Sequence, residues 1–242
     1  IDRYFRKNSL WVWELKQFYQ IGAEIIWETD PILDAQQIFM NVDALNQMWL
    51  KGKFSVQINT LWNKKELEKY REELKAFYDN KQHLLTEESK NLVSEDPLLL
   101  FDTENEDEKI LASQAPSIQK SLKKDSKEHY TKFKEYLDIF WVDFKENHML
   151  THKLKYYTDI VWKIVYTETG ENIVVGWRYD SLAKSLWSSD DIPATGFAVR
   201  VEFLIELLQK LDIKIRNKDK IDLYFVQLWE EAKKAVLPIS LE

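Results

Sequence analysis

The sequence predicts a mainly α fold with a small α+β part: an N-terminal helical bundle, then a C-terminal β-α-β-β-α unit that is ferredoxin-like but one strand short. Three observations predict it. Apolar residues recur at helical spacing through much of the first third of the chain. A stretch with two prolines and a run of acids interrupts that pattern at 86–125. Beyond Gly170 the pattern alternates between strand and helix. The expected organisation is a helical bundle segment over 1–85, an acidic linker over 86–125, and helices plus the α+β unit over 126–242.

In chain order, residues 2–28 read as one long helix, with Phe5, Val12, Leu15, Tyr19 and Ile26 on a stripe flanked by Tyr4, Trp11, Phe18 and Ile25. Asp30-Pro31 ends it, because proline biases the preceding residue away from helix. Ile38-Phe39-Met40-Asn41 is an apolar step into a small helix over 42–50, closed by Lys51-Gly52-Lys53. Asn63-Lys64-Lys65-Glu66 has the form of a capping box, and Leu67, Tyr70, Leu74 and Phe77 share the face that follows. Pro97, Pro116 and the acids Asp102, Glu104, Glu106, Asp107 and Glu108 mark the connection. Asp125-Ser126-Lys127-Glu128 starts a helix carrying Tyr130, Phe133, Leu137, Phe140 and Phe144, and a helical or irregular stretch covers 150–166.

The final region opens at the turn signal Thr169-Gly170, and β-branched and aromatic residues make 172–179 a strand. Asp191, Pro193 and Thr195 offer start signals for a helix with Val201, Leu204, Leu208 and Leu211 on one face. Strands over 213–216 and 221–225, joined by Asn217-Lys218-Asp219-Lys220, and a last helix over 228–236 complete the expected unit.

Composition narrows the function classes. Hydrophobic residues make up 45% and aromatics 14%, enough for a sizeable core. The balance of 34 basic against 41 acidic residues gives no electrostatic reason to expect nucleic acid. With no cysteine, disulfides and thiol nucleophiles are excluded, which fits the cytoplasm. No apolar run approaches the roughly 18 residues of a membrane span, so no membrane partner is expected. The five glycines are too scattered for a phosphate-cradling loop. The chain starts at Ile1 rather than a methionine and ends in Leu241-Glu242, and both features read as signs of a fragment.

No catalytic constellation is evident and no cofactor is expected. Trp177, Arg178 and Asp180 on the strand, with Arg200 and Glu202 near the next helix, are candidate ligand-binding residues. An arginine there can meet an anion bidentately, although structural ion pairs are the commoner use of such spacing. His148 and His152 stand four apart, as two metal ligands on one helix face would. Met149 occupies the place where the zinc-protease pattern needs glutamate, and although Asp143 or Asp159 could supply a third ligand, neither is a clear third member of the pair. Asp190-Asp191 reads as helix-start chemistry, and the Lys120, Lys123, Lys124 and Lys127 cluster as a solvated helix start.

Two stretches carry a family resemblance. Residues 13–24, ending Gln17-Phe18-Tyr19-Gln20-Ile21-Gly22-Ala23-Glu24, continue through 34–45 with Ile38-Phe39-Met40-Asn41, and resemble the helical linker of phosphoenolpyruvate synthase-like and rifampicin-phosphotransferase-like proteins. Asn172-Ile173-Val174-Val175-Gly176-Trp177-Arg178-Tyr179, with 200–208 and the hairpin after it, is similar to a terminal α+β region of that family. The resemblance implies part of an enzyme that passes phosphate from ATP through a phosphohistidine. The chain has neither an ATP-binding domain nor a swivelling histidine segment, and His83, His129, His148 and His152 all lack that setting, so no catalytic residue carries over.

The expected function is therefore a non-catalytic helical accessory or substrate-binding portion of such a phosphotransferase. Its partners would be the enzyme's other domains or subunits. The alternative is a free-standing interaction module whose aromatic-rich helical face binds another protein. A third, a metal-dependent enzyme using His148 and His152, predicts bound metal.

Overall fold

The computed structural model describes residues 1–5, 16–61, 64–151 and 157–214. The chain divides into two units, Ile1–Ile205 and Glu206–Glu242. Strand β1 (Asp2–Phe5) is followed by β2 (Gln17–Ile26), α1 (Ile32–Gln47), β3 (Phe54–Thr60) and α2 (Lys64–Asp79). Next come α3 (Glu87–Glu95), α4 (Glu106–Ser113), α5 (Lys124–Ile139) and β4 (Phe144–Glu146). The series continues with β5 (Thr158–Tyr166), β6 (Asn172–Arg178), α6 (Leu182–Leu186), β7 (Ala194–Arg200) and α7 (Val201–Lys210).

Among the described residues, the strands form one seven-stranded sheet in the order β1-β2-β7-β6-β5-β3-β4. It is mixed: β3 and β4 run parallel, and every other pairing is antiparallel. The mainly helical expectation is corrected by this sheet. Where one helix was expected over 2–28, the described residues form β1 and β2, and residues 6–15 lie outside them. β2 pairs with β1 on one side and β7 on the other, so its backbone groups are satisfied across strands. The small helix expected over 42–50 is the second half of α1, which already includes the Ile38-Phe39-Met40-Asn41 step.

The region 150–166 contains β5, whose Ile160, Val161, Trp162, Ile164 and Val165 are all buried. Such a strand, covered on both faces, shows no alternation in sequence and so resembles a buried helix segment. The expected β-α-β-β-α unit is also corrected: the start signals at Asp191, Pro193 and Thr195 lead into β7, and α7 follows at once. The order from β6 is therefore β6-α6-β7-α7. Ile213 and Lys214 belong to no strand, and the hairpin and last helix expected over 215–236 lie outside the described residues. The helices expected from 63 and 125 are present as α2 and α5, although α5 ends at Ile139 and the Phe144 expected on it opens β4; the strand over 172–179 is present as β6.

Helices α1 and α5 lie together behind the sheet. Ala35, Ile38 and Leu45 of α1 and Tyr130, Phe133 and Leu137 of α5 are buried, and Phe39 stacks on Phe140 at 5.2 Å. A second cluster joins Tyr70 and Leu74 of α2, Val93 of α3 and Leu111 of α4 to Tyr157 and Val161. Each large side chain removed from water in these clusters is worth about 1.5–3 kcal/mol. The segment between α2 and α5 carries α3, α4 and a 3-10 turn over Pro97–Asp102 with Leu98 and Leu100 buried, and Glu108 ties these pieces together.

In the second unit, the described residues hold the end of α7. Ile213 N donates to Leu208 O at 2.9 Å, and Asp212 takes a positive φ of 52° in the turn.

Candidate functional site

Side chains alternate across a strand, so the register of β2, β7, β6 and β5 assigns each residue to a face. One cross-strand row runs Glu24, Gly196, Trp177, Val161, and the next runs Gly22, Ala198, Val175, Lys163. These residues face away from α1. Gly22, Gly196 and Ala198 make a floor without bulk, edged by Glu24 and Trp177. The glycines are required by space. A Cβ on Gly196 would run into the Glu24 carboxylate, and one on Gly22 would stand 2.7 Å from the Phe197 carbonyl oxygen.

Glu24 lies across this floor and accepts a hydrogen bond from Tyr179 Oη at 2.6 Å. Loss of water raises its carboxyl above the ordinary value, and the Tyr179 hydroxyl offsets only part of that. Beside it, the half-buried Trp177 ring forms an aromatic wall, backed by the buried Tyr157 ring 5.1 Å away at 49°. Lys163, in the second row, has its ammonium pushed down by burial, with Asp102 partly opposing. The trough thus combines an accessible carboxylate, an aromatic wall and a small floor, an arrangement suited to a compact cationic ligand with a flat ring.

Behind the trough a polar cluster ties α1 to the same strands. Asp34, fully buried, pairs with Arg178 Nη2 and accepts from Thr195 Oγ1 at 2.6 Å. Gln37 Nε2 donates to Thr195 O at 3.2 Å, and Arg178 Nη1 donates to Glu28 O at 3.1 Å. Nearby, Thr60 Oγ1 donates to Asp159 Oδ1 at 3.2 Å.

Of the residues singled out in the sequence, Trp177 lines the trough. Arg178 is 1% exposed on the opposite face, against Asp34. Asp180 Oδ1 accepts from Ala194 N at 3.0 Å. Arg200 donates to Asn172 O at 3.3 Å and lies 5.1 Å from the Phe203 ring centre, while Glu202 accepts from Tyr19 N at 2.6 Å. His148 meets Phe101 edge-on at 6.4 Å, and His152 lies outside the described residues. Among the described residues no three of His, Cys, Asp and Glu converge to hold a metal ion. Glu24, Tyr157, Tyr179 and Asp34 were missed. The usable signal was a lone glycine inside each of three apolar runs, at Gly22, Gly176 and Gly196, since glycine in a strand often marks close approach of another group.

Comparison with known proteins gives a consistent result. The family model described as Histidyl-tRNA synthetase matches residues 3–204. A histidine--tRNA ligase of Halothermothrix orenii is 32% identical over 233 residues, covering 96% of this chain and 55% of the relative. That of Aquifex aeolicus is 35% identical over 211 residues, covering 87% and 50%. The chain thus spans about half the length of these curated relatives. Among solved structures, apo S. aureus histidyl-tRNA synthetase superposes with a TM-score of 0.66 at 24% identity, covering 93% of this chain and 55% of that one. A Bacillus halodurans protein titled ATP phosphoribosyltransferase regulatory subunit/histidyl-tRNA synthetase gives a TM-score of 0.57 at 20% identity, covering 86% and 57%. These two show a shared fold.

The matches overturn the resemblance to phosphoenolpyruvate-utilising phosphotransferases, and with it the accessory-portion function and the phosphotransfer partners. The interaction-module alternative falls too. The exclusion of nucleic acid is also corrected, because the matched relatives are tRNA ligases. Net charge sums over the whole chain and is blind to how charge is arranged on one surface.

Proposed function

Because the chain belongs to the histidyl-tRNA synthetase family, we propose that the trough over Gly196 is its amino-acid site and takes histidine. The observation that carries this reading is the Glu24 carboxylate, held over the glycine floor by Tyr179. A ligand ammonium or imidazolium beside Glu24 favours its charged form, and the Trp177 ring, backed by Tyr157, offers a face to the imidazole ring.

The chain matches about half the length of the curated relatives. Joining histidine to tRNA, with ATP as the co-substrate, is the proposed activity of the whole protein, and tRNA its proposed partner. The cytoplasm is its proposed location. Among the described residues, no helix is long and apolar enough to cross a membrane.

The test is calorimetric titration of histidine into the protein. Saturable binding that weakens at least about tenfold in Glu24→Gln supports the reading, since a charged hydrogen bond is worth about 1.5–3 kcal/mol. Equal affinity of wild type and Glu24→Gln, or no binding of histidine at all, overturns it.

A second reading is favoured by Lys163. This cation of the trough floor is depressed by burial and faces Asp102, a poor setting for a triphosphate. The site would then bind histidine without activating it, and the chain would serve as a regulatory subunit, the role that the B. halodurans title names beside the synthetase. Histidine-dependent exchange of pyrophosphate into ATP separates the two: exchange supports the ligase, and binding without exchange supports the regulatory reading.

A further inference from the structure

Resting on the reading of the trough as a histidine site, we propose that Asp34 is a positioning residue. It grips Arg178 and Thr195 from behind the sheet and so sets the spacing of Trp177, Tyr179 and Gly196 on the ligand face. Arg178 and Thr195 are cross-strand partners on β6 and β7. Each is the chain neighbour of trough residues: Trp177 and Tyr179 flank Arg178, and Gly196 follows Thr195. Adjacent residues of a pleated strand project to opposite faces, so a displacement on one face is passed to the other.

One carboxylate reaches both strands. Its Oδ2 holds Arg178 Nη2, and its Oδ1 takes the Thr195 hydroxyl at 2.6 Å. Gln37, one turn along α1, holds the Thr195 carbonyl at 3.2 Å. Arg178 also reaches Glu28 O at 3.1 Å, in the turn that leaves β2, the strand bearing Glu24. Three of the four strands that build the trough, β2, β6 and β7, are therefore keyed to α1 through Asp34 and Arg178.

Stability alone does not account for this cluster. Replacing a buried ion pair by well-packed apolar side chains of similar volume is often neutral or stabilising. What an apolar cluster lacks is direction. Paired hydrogen bonds fix β6 against β7 at one register and height, and the trough needs that precision because Glu24 lies directly on Gly196.

The experiment compares Thr195→Val with Thr195→Ser, since serine keeps the hydroxyl that Asp34 holds and valine keeps the volume. Two quantities are read at a temperature where circular dichroism shows both variants folded. One is the indole N–H resonance of Trp177, assigned with Trp177→Phe; the other is the affinity for histidine. The expected result is a displaced Trp177 resonance and about tenfold weaker histidine binding in Thr195→Val, with both restored in Thr195→Ser. An unmoved Trp177 resonance in folded Thr195→Val, or equal displacement in the serine variant, overturns the proposal. A displaced resonance in valine alone, in a protein that binds no histidine, upholds the positioning role and overturns the histidine reading instead.

Discussion

His129 on α5 pairs with Asp159 at the head of β5, Nδ1 to Oδ2 at 2.9 Å, while its Nε2 lies 3.2 Å from the Thr29 carbonyl oxygen. Both neighbours accept hydrogen bonds, so only the doubly protonated ring satisfies both. Burial by itself lowers the ring's pKa. The hydrogen bond and charge of Asp159, with the Thr29 carbonyl, outweigh burial and the opposing Arg178 charge, leaving it above 6.5. A histidine raised on folding stabilises fully below its unfolded value, and that contribution is lost as pH rises through the folded value. In urea unfolding, the stability difference between wild type and His129→Gln is expected to be largest below about pH 6.5 and to shrink at higher pH. A difference that stays constant with pH would contradict a charged His129.

Glu108 works with the opposite sign. It accepts from Thr86 N at 2.9 Å, Thr86 Oγ1 at 3.0 Å, Ser89 Oγ at 2.7 Å and Thr103 Oγ1 at 2.8 Å. Burial raises its carboxyl, but these bonds outweigh burial and hold it below the ordinary value of 4.5. Glu108→Gln, with one acceptor oxygen in place of two, should lose about 3 kcal/mol at neutral pH. That loss should diminish as pH falls below 4.5, where the wild-type advantage itself disappears. Chemical denaturation at pH 7 and pH 4 checks both parts.

The two trough glycines should respond differently to alanine. At Gly196 the obstructing atoms are the tip of the Glu24 side chain, which can swing aside. Gly196→Ala is therefore expected to fold with a loss of no more than about 1 kcal/mol while histidine affinity drops at least about tenfold. At Gly22 the obstruction is the backbone oxygen of Phe197 at 2.7 Å, so β2 and β7 must part. Gly22→Ala should cost about 1–3 kcal/mol of stability. Thermal melts and titration calorimetry on the pair separate a binding defect from a folding defect.

Trp141 ends α5 in a turn that glycine would favour. Its φ is 57° and its side chain is 93% exposed, while Val142 N reaches Leu137 O at 3.0 Å and Trp141 N reaches Asp138 O at 3.1 Å. This hydrogen-bond pair closes the helix through a left-handed residue. Trp141→Gly removes the Cβ clash at almost no cost in burial, and should raise stability by about 1 kcal/mol. A lowered melting temperature would show that the exposed ring contributes more than the clash costs.

Helices α2 and α5 and strand β6 were legible because each carries a local signal. Leu67, Tyr70 and Leu74, and likewise Tyr130, Phe133 and Leu137, recur at helical spacing and are buried. Asn172–Arg178 is β-branched and aromatic and follows the positive-φ Gly170. β2 was misread because Tyr19 and Ile26 stand seven apart, a helical spacing. Its pairing with β7, 168 to 180 residues downstream, selects the extended form instead. β5 escaped notice because burial on both faces erases the period-2 pattern.

Thus the amino-acid sequence by itself determined the helices and the strand whose patterns are complete within one segment, and the absence of thiol chemistry. Tertiary structure alone decided the sheet order and the site. Glu24, Tyr179 and Gly196 meet only when β2, β6 and β7 are in register. Arg178 is directed to Asp34, away from the trough, by a pleat parity that depends on which face α1 covers. Contacts between residues about 150 positions apart in the chain leave no periodicity in either segment, because each strand's pattern records only that a face is buried and never which partner buries it.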